Sequence, residues 1–291
     1  MNEELFPTLA EFASGPLAEV QKVAPATIIY APGGTRRSAA FAGIEPWSEQ
    51  YIRWARQSTF DAFELIFRQG IRHIITTAIS PGNTHESNRY SEKLYAMADW
   101  ILAGEESLAK YSQNGWRARI LGGGHIPELH ATAQRLCEQT NPQAKLTIWW
   151  TVEPNHDAFW QHLLTAAATN RLRTREDAVR ALYGEVIPPA TLYLAFGKPT
   201  VSTAIVPPLL CDNLQCYWSQ QVGYSLTEHQ LRTILYDYAY LRKTWRTDKL
   251  DRAYAGIAHQ DAWETGPILG LGMRLGPFWY PAPMHSPVWS S

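Results

Sequence analysis

The sequence predicts an α/β fold in which helices flank a mainly parallel central sheet of six strands. Short apolar, β-branched runs alternate along the chain with longer segments of helical periodicity. Glycine and proline turns separate the two kinds of segment. Strands that alternate with helices in this way are joined by right-handed crossovers, which makes the sheet parallel and covers both of its faces.

The predicted strands are short and rich in β-branched or aromatic residues. They are residues 26–30, 71–78, 117–121, 145–151, 191–196 and 214–218. The predicted helices have apolar residues at helical spacing and recognisable ends, such as Gly70 after the first and Thr174 with Asp177 as a capping pair. They are residues 46–70, 91–111, 127–139, 156–169, 174–183 and 227–241. Residues 80–90 form a polar loop, and residues 250–291 are a Gly-, Pro- and Trp-rich tail that we expect to wrap around the domain or contact a partner.

Composition excludes several classes of protein. A net charge of −1 gives no basic surface for non-specific nucleic-acid binding. No apolar run approaches the roughly 18 residues of a membrane helix, and the first ten residues lack the pattern of a signal peptide. The three cysteines, Cys137, Cys211 and Cys216, have no metal-ligand spacing and are predicted to be buried thiols in a reducing compartment. We therefore expect a soluble, cytoplasmic protein.

The strongest local pattern follows the first strand. Its last residues lead into Pro32, Gly33 and Gly34, and then directly into Thr35, Arg36 and Arg37. Glycines let backbone N–H groups approach an oxyanion, and the planar guanidinium of arginine suits phosphate. A strand, a glycine turn and then donors form anion sites at the carboxyl edge of α/β sheets. We interpret this loop as a diphosphate site; the alternative is a surface turn followed by solvated arginines.

Other polar loops follow predicted strands and are expected at the same edge: residues 80–90, 122–125 and 197–203. Arg89, from the first of these, could join Arg36 and Arg37 in stabilising a diphosphate leaving group as a C–O bond ionises. Tyr51 and Tyr90 each lie near the start of a predicted helix, where a phenol could orient water or accept a proton. The alternative is that they are ordinary half-buried tyrosines.

Three further residues, His85, Glu86 and His125, are candidate acid, base or metal groups, although no ligand spacing connects them. Asp237 and Arg242 are expected to form a structural ion pair. The chain also contains 12 Trp and 14 Tyr. Such residues fill cores, but they could also line a rigid cavity whose aromatic faces stabilise a cation.

Several motifs resemble those of the tuberculosinol and kolavelool synthases, a family of diterpene synthases on a cis-prenyltransferase scaffold. The resemblance spans roughly residues 20–245. Its motifs are Gly34-Thr35-Arg36-Arg37, Glu49-Gln50-Tyr51, Arg56-Gln57-Ser58, Asn88-Arg89-Tyr90, Leu182-Tyr183-Gly184-Glu185, Ala195-Phe196-Gly197 and a late helix, residues 231–242, that contains Tyr236-Asp237-Tyr238. The resemblance implies a cis-prenyltransferase-like domain, which we expect to comprise residues 1–291 as a single unit.

The resemblance also implies a reaction. Members take a bicyclic diterpenyl diphosphate made by a separate cyclase, ionise its allylic C–O bond, and capture the cation with water, usually at the tertiary allylic carbon. The diphosphate-binding arginines of the family match Arg36 and Arg37, and its two functional tyrosines match Tyr51 and Tyr90. Members resemble cis-prenyltransferases in forming homodimers, with the late strand and helix near the interface.

One position departs from the family pattern. The family has an aspartate directly before the loop glycine, where it helps to bind Mg²⁺ with the diphosphate, and here that residue is Gly33. Three explanations stay open. Glu86 or Asp212 could replace the aspartate as a Mg²⁺ ligand, or water could supply most of the ligands of a Mg²⁺ ion that bridges the phosphates. Alternatively, arginines and backbone N–H groups could balance more of the negative charge of the diphosphate. Two other functions stay open: prenyl transfer to a nucleoside or isoprenoid acceptor, and a non-catalytic subunit of a prenyltransferase complex.

Overall fold

A computed structural model of the protein describes residues 6–46, 48–84, 89–122, 126–242, 252–265 and 268–281. The central sheet has six strands, all parallel, in the order β3-β4-β2-β1-β5-β6. The strands are β1 (Thr27–Ala31), β2 (His73–Ile79), β3 (Trp116–Leu121), β4 (Leu146–Val152), β5 (Ala190–Phe196) and β6 (Cys211–Ser219). The predicted six-stranded parallel sheet is therefore confirmed.

Helices cover both faces of the sheet. The helices that the structure describes are α1 (Leu9–Ser14), α2 (Leu17–Val23), α3 (Thr35–Phe41), α4 (Glu49–Arg68), α5 (Pro81–Thr84), α6 (Arg89–Ala103), α7 (Glu105–Asn114), α8 (Pro127–Gln139), α9 (Ala158–Thr169), α10 (Arg175–Tyr183), α11 (Glu228–Tyr236), α12 (Arg252–Ile257) and α13 (Gln260–Glu264). Neighbouring residues of β1 supply the two faces: Ile28 and Tyr30 belong to one apolar cluster and Ile29 to another. Because both faces are covered, β1 is apolar without interruption.

Most aromatic residues that the structure describes contribute to this core. Phe60 stacks on Trp116 at a centroid distance of 6.1 Å, and Phe63 meets Trp150 edge-on at 5.4 Å. The indole of Trp150 donates a hydrogen bond to the hydroxyl of Tyr111 at 3.2 Å. The high aromatic content is thus largely used for packing on the α4 face of the sheet.

Several predicted boundaries were wrong. The single helix expected at residues 91–111 is two helices, α6 and α7, because the chain turns at Gly104, where a Cβ would lie 2.4 Å from the carbonyl oxygen of Trp100. The helix expected at residues 227–241 ends as a π-helical turn, Asp237–Leu241. The polar loop at residues 80–90 includes α5 and the start of α6. The helices α1, α2 and α3 have no counterpart in the prediction.

The C-terminal tail is more regular than expected. Its described part contains α12, α13 and an antiparallel hairpin of β7 (Gly272–Leu275) and β8 (Phe278–Pro281). The side chain of Gln220 donates a hydrogen bond to the carbonyl of Pro281 at 2.7 Å, so the hairpin contacts the segment after β6. The single-domain organisation of residues 1–291 stays a prediction.

Two other expectations can be compared with the fold. Cys137 is exposed on α8, and Cys211 and Cys216 are half-buried, so the prediction of buried thiols is wrong for Cys137. Its neighbour Leu136 takes the buried position on that helix. Among the described residues, no helix is both long enough and apolar enough to cross a bilayer.

Candidate functional site

The candidate site begins where β1 ends, in residues 32–37, which we call the glycine loop. Gly33 and Gly34 both have left-handed backbone angles, with φ of 52° and 57°. A Cβ on Gly33 would lie 3.1 Å from the carbonyl oxygen of Phe196, the last residue of β5. Left-handed angles and a close backbone neighbour both favour glycine, so this loop is shaped for close approach and not for a side chain at position 33.

Helix α3 starts directly from this loop, with Gly34 as its capping residue. The first N–H groups of a helix have no partner within the helix, and the cap side chain that often satisfies them is missing in a glycine. These N–H groups therefore point from the start of α3 toward the space above the carboxyl edge of the sheet, where an anion could accept from them.

Arg37 folds back over the glycine loop. Its Nη2 atom lies 3.0 Å from where a Cβ on Gly34 would be and 3.1 Å from the same position on Gly197. Gly197 follows β5 and also has a left-handed φ, 84°. Gly34 and Gly197 thus leave the room that the guanidinium occupies between two loops of the carboxyl edge. Arg36 is half-buried on the same helix.

No carboxylate is paired with Arg37 within the part of the chain that the structure describes. A guanidinium held between two loops without such a counter-charge suits an incoming dianionic group. This arrangement favours the anion-site interpretation of residues 32–37 over a solvated surface turn.

Tyr51 is more deeply placed than the sequence suggests. It lies in the first turn of α4, where its N–H donates to the side chain of Ser48 at 3.1 Å, and it is 7% exposed. It packs with Ala39 and Ala55 in a small apolar cluster between α3 and α4. Tyr51 therefore lies behind the arginine-bearing helix and not at an open helix start.

The other predicted site residues lie near the start of α6, or, in the case of His125, shortly before α8 in the sequence. The backbones of Arg89 and Tyr90 form the first turn of α6, but their side chains are outside the described structure. His85, Glu86 and His125 lie outside the described residues altogether. The last residue of the short helix α5, Thr84, donates a hydrogen bond from its hydroxyl to the carbonyl of Pro154 at 2.8 Å.

A second feature of the same edge was not predicted. A cavity of about 460 Å³, the polar cavity, lies between α9, α10 and the ends of β3 and β4. Glu153, directly after β4, lines it and is 7% exposed. Burial raises the pKa of this carboxyl to about 7, although the N–H of Phe159 donates to it. In the sequence, Glu153 could have been found as a carboxylate that directly follows an apolar strand. The other candidate loops were identified in a similar way, as polar residues after predicted strands.

Sequence reasoning also missed the segment after β6. The hydroxyl of Tyr30 donates to the carbonyl of Gly223 at 2.8 Å, and a Cβ on Gly223 would lie 2.3 Å from the carbonyl oxygen of Pro32. This segment therefore packs directly against the glycine loop. No local pattern could have indicated it, since Tyr30 and Gly223 are 193 residues apart.

The described residues do not fit a carboxylate-held Mg²⁺ at the glycine loop. No group of three His, Cys, Asp or Glu side chains that could hold a metal occurs among them. Position 33 is a glycine and offers no carboxylate. Asp212 lies at the start of β6, next to the residue that pairs with the first residue of β5, Ala190. The glycine loop lies at the other end of β5, so Asp212 is at the opposite edge of the sheet. Because Mg²⁺ prefers carboxylate and phosphate oxygens, these residues offer it no protein ligands at the loop.

The ion pair expected between Asp237 and Arg242 is confirmed. Arg242 Nε lies 2.8 Å from Asp237 Oδ2, and the hydroxyl of Tyr217 donates to the same oxygen at 2.6 Å. Arg242 also lies over the ring of Tyr217, 4.0 Å from its centroid. These contacts join the π-helical turn to β6 and are structural.

Known proteins similar to this chain fall into two groups. Among characterised proteins, the (+)-kolavelool synthase of Herpetosiphon aurantiacus is 44% identical over 276 residues, which cover 94% of this chain and 96% of that protein. The tuberculosinyl adenosine transferase of Mycobacterium tuberculosis is 24% identical over 249 residues, or 80% of this chain and 82% of that protein. No protein-family model matches.

Among solved structures, lavandulyl diphosphate synthase from Lavandula x intermedia, in complex with dimethylallyl diphosphate, superposes with a TM-score of 0.60 at 14% identity. The superposition covers 75% of this chain and 97% of that chain. A probable undecaprenyl diphosphate synthase from Campylobacter jejuni superposes with a TM-score of 0.55 at 16% identity, and the superposition covers 76% of this chain and 96% of that chain. The fold is therefore that of the cis-prenyltransferases.

Proposed function

We propose that this chain, which belongs to the kolavelool synthase family of diterpene synthases, ionises a bicyclic diterpenyl diphosphate and captures the allylic cation with water. The allylic C–O bond breaks and its electron pair leaves with the diphosphate. The oxygen of a water molecule then bonds to the tertiary allylic carbon and loses a proton. The products are a tertiary allylic diterpene alcohol, diphosphate and that proton, so the net reaction is a hydrolysis.

The observation that most supports this proposal is the position of Arg37 between the loops that follow β1 and β5. Positive charge and N–H donors fixed beside a leaving diphosphate stabilise the negative charge that develops as the bond breaks, and such preorganised donors are each worth about 100- to 1000-fold in rate. In this proposal Gly33, Gly34 and Thr35 present their backbone, and Arg36 and Arg37 bind the diphosphate.

The remaining roles follow from the placement of α4 and α6. Arg89 and Tyr90 begin α6, and we assign Arg89 to the diphosphate and Tyr90 to the water or the departing oxygen. Tyr51, packed behind α3, is assigned to the same reaction region. A phenol can orient water or relay a proton without being charged. No step of this mechanism uses Mg²⁺, and whether the metal is required stays open.

Other parts of the proposal rest on sequence similarity to the characterised relatives. We expect the substrate to be of the kolavenyl (clerodane) or tuberculosinyl type and to come from a separate cyclase. We expect a cytoplasmic homodimer that associates near β6, an edge strand of the sheet, and α11. These expectations can be tested by product analysis and by measuring molar mass in solution.

A second candidate function is transfer of the diterpenyl group to an acceptor. The polar cavity favours it, because a carboxyl of raised pKa beside hydroxyl-bearing side chains could hold a small polar molecule at the same edge of the sheet. The 24% identical relative is named an adenosine transferase. A product that contains the acceptor would support this function over hydrolysis.

The deciding experiment is incubation of the purified protein with kolavenyl and tuberculosinyl diphosphates in ¹⁸O-labelled water, with and without adenosine. We expect one tertiary allylic alcohol that contains one ¹⁸O, detected by gas chromatography and mass spectrometry. Unlabelled alcohol would contradict water capture, and a nucleoside adduct would favour transfer. Failure to consume any diterpenyl diphosphate would leave the non-catalytic subunit as the better description.

A further inference from the structure

The segment after β6 supports the glycine loop through one side chain as well as through its backbone. The hydroxyl of Tyr224 lies 3.4 Å from Thr35 Oγ1, the first residue of α3. Its ring meets Trp54 of α4 edge-on, with centroids 5.7 Å apart. Tyr224 is therefore inserted between the helix that bears both arginines and the helix that bears Tyr51.

The hydrogen bond to Thr35 and the ring contact with Trp54 join the first turn of α3 to α4 through one side chain. Either hydroxyl of the Tyr224 and Thr35 pair can be the donor.

The Tyr224 phenol keeps its proton near neutral pH because burial raises its pKa. The residue before it, Gly223, packs so closely against Pro32 that a Cβ would not fit. The phenol oxygen is used in the contact with Thr35, so its role is to fix a position and not to touch the substrate.

We propose that Tyr224 is a positioning residue for the diphosphate site, which fixes the first turn of α3 against α4 so that Arg36 and Arg37 are preorganised. This inference rests on the proposed function of residues 32–37 as an anion site. It adds a residue that lies 189 positions after Thr35 and shares no motif with it. Preorganisation matters because donors that must be ordered during binding lose part of their effect.

The test is the affinity of the protein for inorganic pyrophosphate, measured by calorimetry with Mg²⁺ and with EDTA. Tyr224→Phe keeps the ring and its contact with Trp54 but removes the hydroxyl. We expect pyrophosphate to bind about three- to tenfold more weakly, which corresponds to the loss of one hydrogen bond. Thr35→Val, which removes the partner hydroxyl, should have the same effect, and the double variant should be no weaker than either single one.

Tyr238→Phe is the matched control. Tyr238 and Thr191 form the same kind of hydroxyl pair, 2.7 Å apart, at the start of β5 and so at the opposite edge of the sheet. We expect this variant to lose comparable thermal stability and to bind pyrophosphate normally. Equal weakening in both variants would mean that Tyr224 acts only on stability and would overturn the proposal.

The outcomes separate this inference from the function on which it rests. Normal pyrophosphate binding by Tyr224→Phe would overturn the inference, even if the protein is an active diterpene synthase. Weakened binding without turnover of any diterpenyl diphosphate would support the inference and contradict the proposed reaction. If the wild-type protein did not bind pyrophosphate, both would fail.

Discussion

The glycine loop and the π-helical turn each carry an arginine and use it differently. At the π-helical turn, Asp237 accepts from Tyr217 and is paired with Arg242. In the glycine loop, Arg37 lies over the positions of Gly34 and Gly197, and the described residues give it no carboxylate partner. Arg242 is thus neutralised by a carboxylate of its own turn, whereas no carboxylate among the described residues neutralises Arg37.

The comparison teaches that an arginine is not in itself a functional signal. What distinguishes the two regions is the space beside the guanidinium. A side chain fills that space at Arg242, where the centroid of the Tyr217 ring lies 4.0 Å away. At Arg37 the space comes from Gly34 and Gly197, both with left-handed backbone angles. Unusual backbone angles cost stability, and proteins keep them mainly where a ligand binds.

Replacing the two arginines should give the largest contrast. We expect Arg37→Ala to lower kcat/KM for a diterpenyl diphosphate by at least about 100-fold, because a charge that stabilises the leaving group is lost. Arg242→Ala should leave kcat/KM unchanged and cost about 1 kcal/mol or less in the free energy of unfolding, since the pair is partly exposed. Arg37→Lys, which keeps the charge without the planar fork, should fall between these results. Equal kinetics for Arg37→Ala and Arg242→Ala would remove the distinction between the regions.

A second contrast uses the carboxyl of Glu153, whose pKa is raised by burial from 4.5 to about 7. The folded state then holds a proton that the unfolded state releases, so this contribution to stability is complete below pH 4.5 and is lost as the pH rises through 7. We expect Glu153→Gln, which cannot ionise, to be more stable than the wild type by about 2 kcal/mol at pH 8, allowing for solvent access to the cavity.

Denaturant unfolding at pH 4 and pH 8 measures this difference. Near pH 4, below the ordinary pKa of 4.5, the two proteins should have nearly equal free energies of unfolding. Glu138→Gln, at an exposed position of α8, serves as the control and should show no such pH dependence. A constant difference between Glu153→Gln and the wild type across this range would mean that Glu153 is ionised normally.

The smallest effect concerns glycines. Gly33→Ala and Gly43→Ala both place a side chain at a left-handed φ, 52° and 74°, but only Gly33 has a neighbour, since nothing lies within 4 Å of a Cβ at Gly43. Both should lower the free energy of unfolding by about 1 kcal/mol. Only Gly33→Ala should also weaken pyrophosphate binding in calorimetry. Equal pyrophosphate affinity in the two variants would show that the shape of the glycine loop is not needed.

The sequence was sufficient for features that depend on neighbouring residues. The parallel strands follow from β-branched runs such as residues 27–31, and the glycine loop follows from Gly33, Gly34 and the arginines after them. The contacts of Tyr224 could not be predicted, because Thr35 and Trp54 are distant from it in sequence and no local pattern connects the three residues. The burial of Tyr51 and Glu153 depends likewise on helices that pack from elsewhere in the chain.

The hydrogen bond from Tyr30 to Gly223 has a consequence for the order in which the molecule forms. Residues 32–37 leave the ribosome early, but the backbone against which they pack is synthesised almost 200 residues later. Contacts of such separation close slowly, because a long stretch of chain must be ordered first. The two arginines are thus present throughout synthesis, whereas the proposed anion site can form only once β6 and the turn after it are in place. A nascent chain that ends before Gly223 has the charges of the site without its shape.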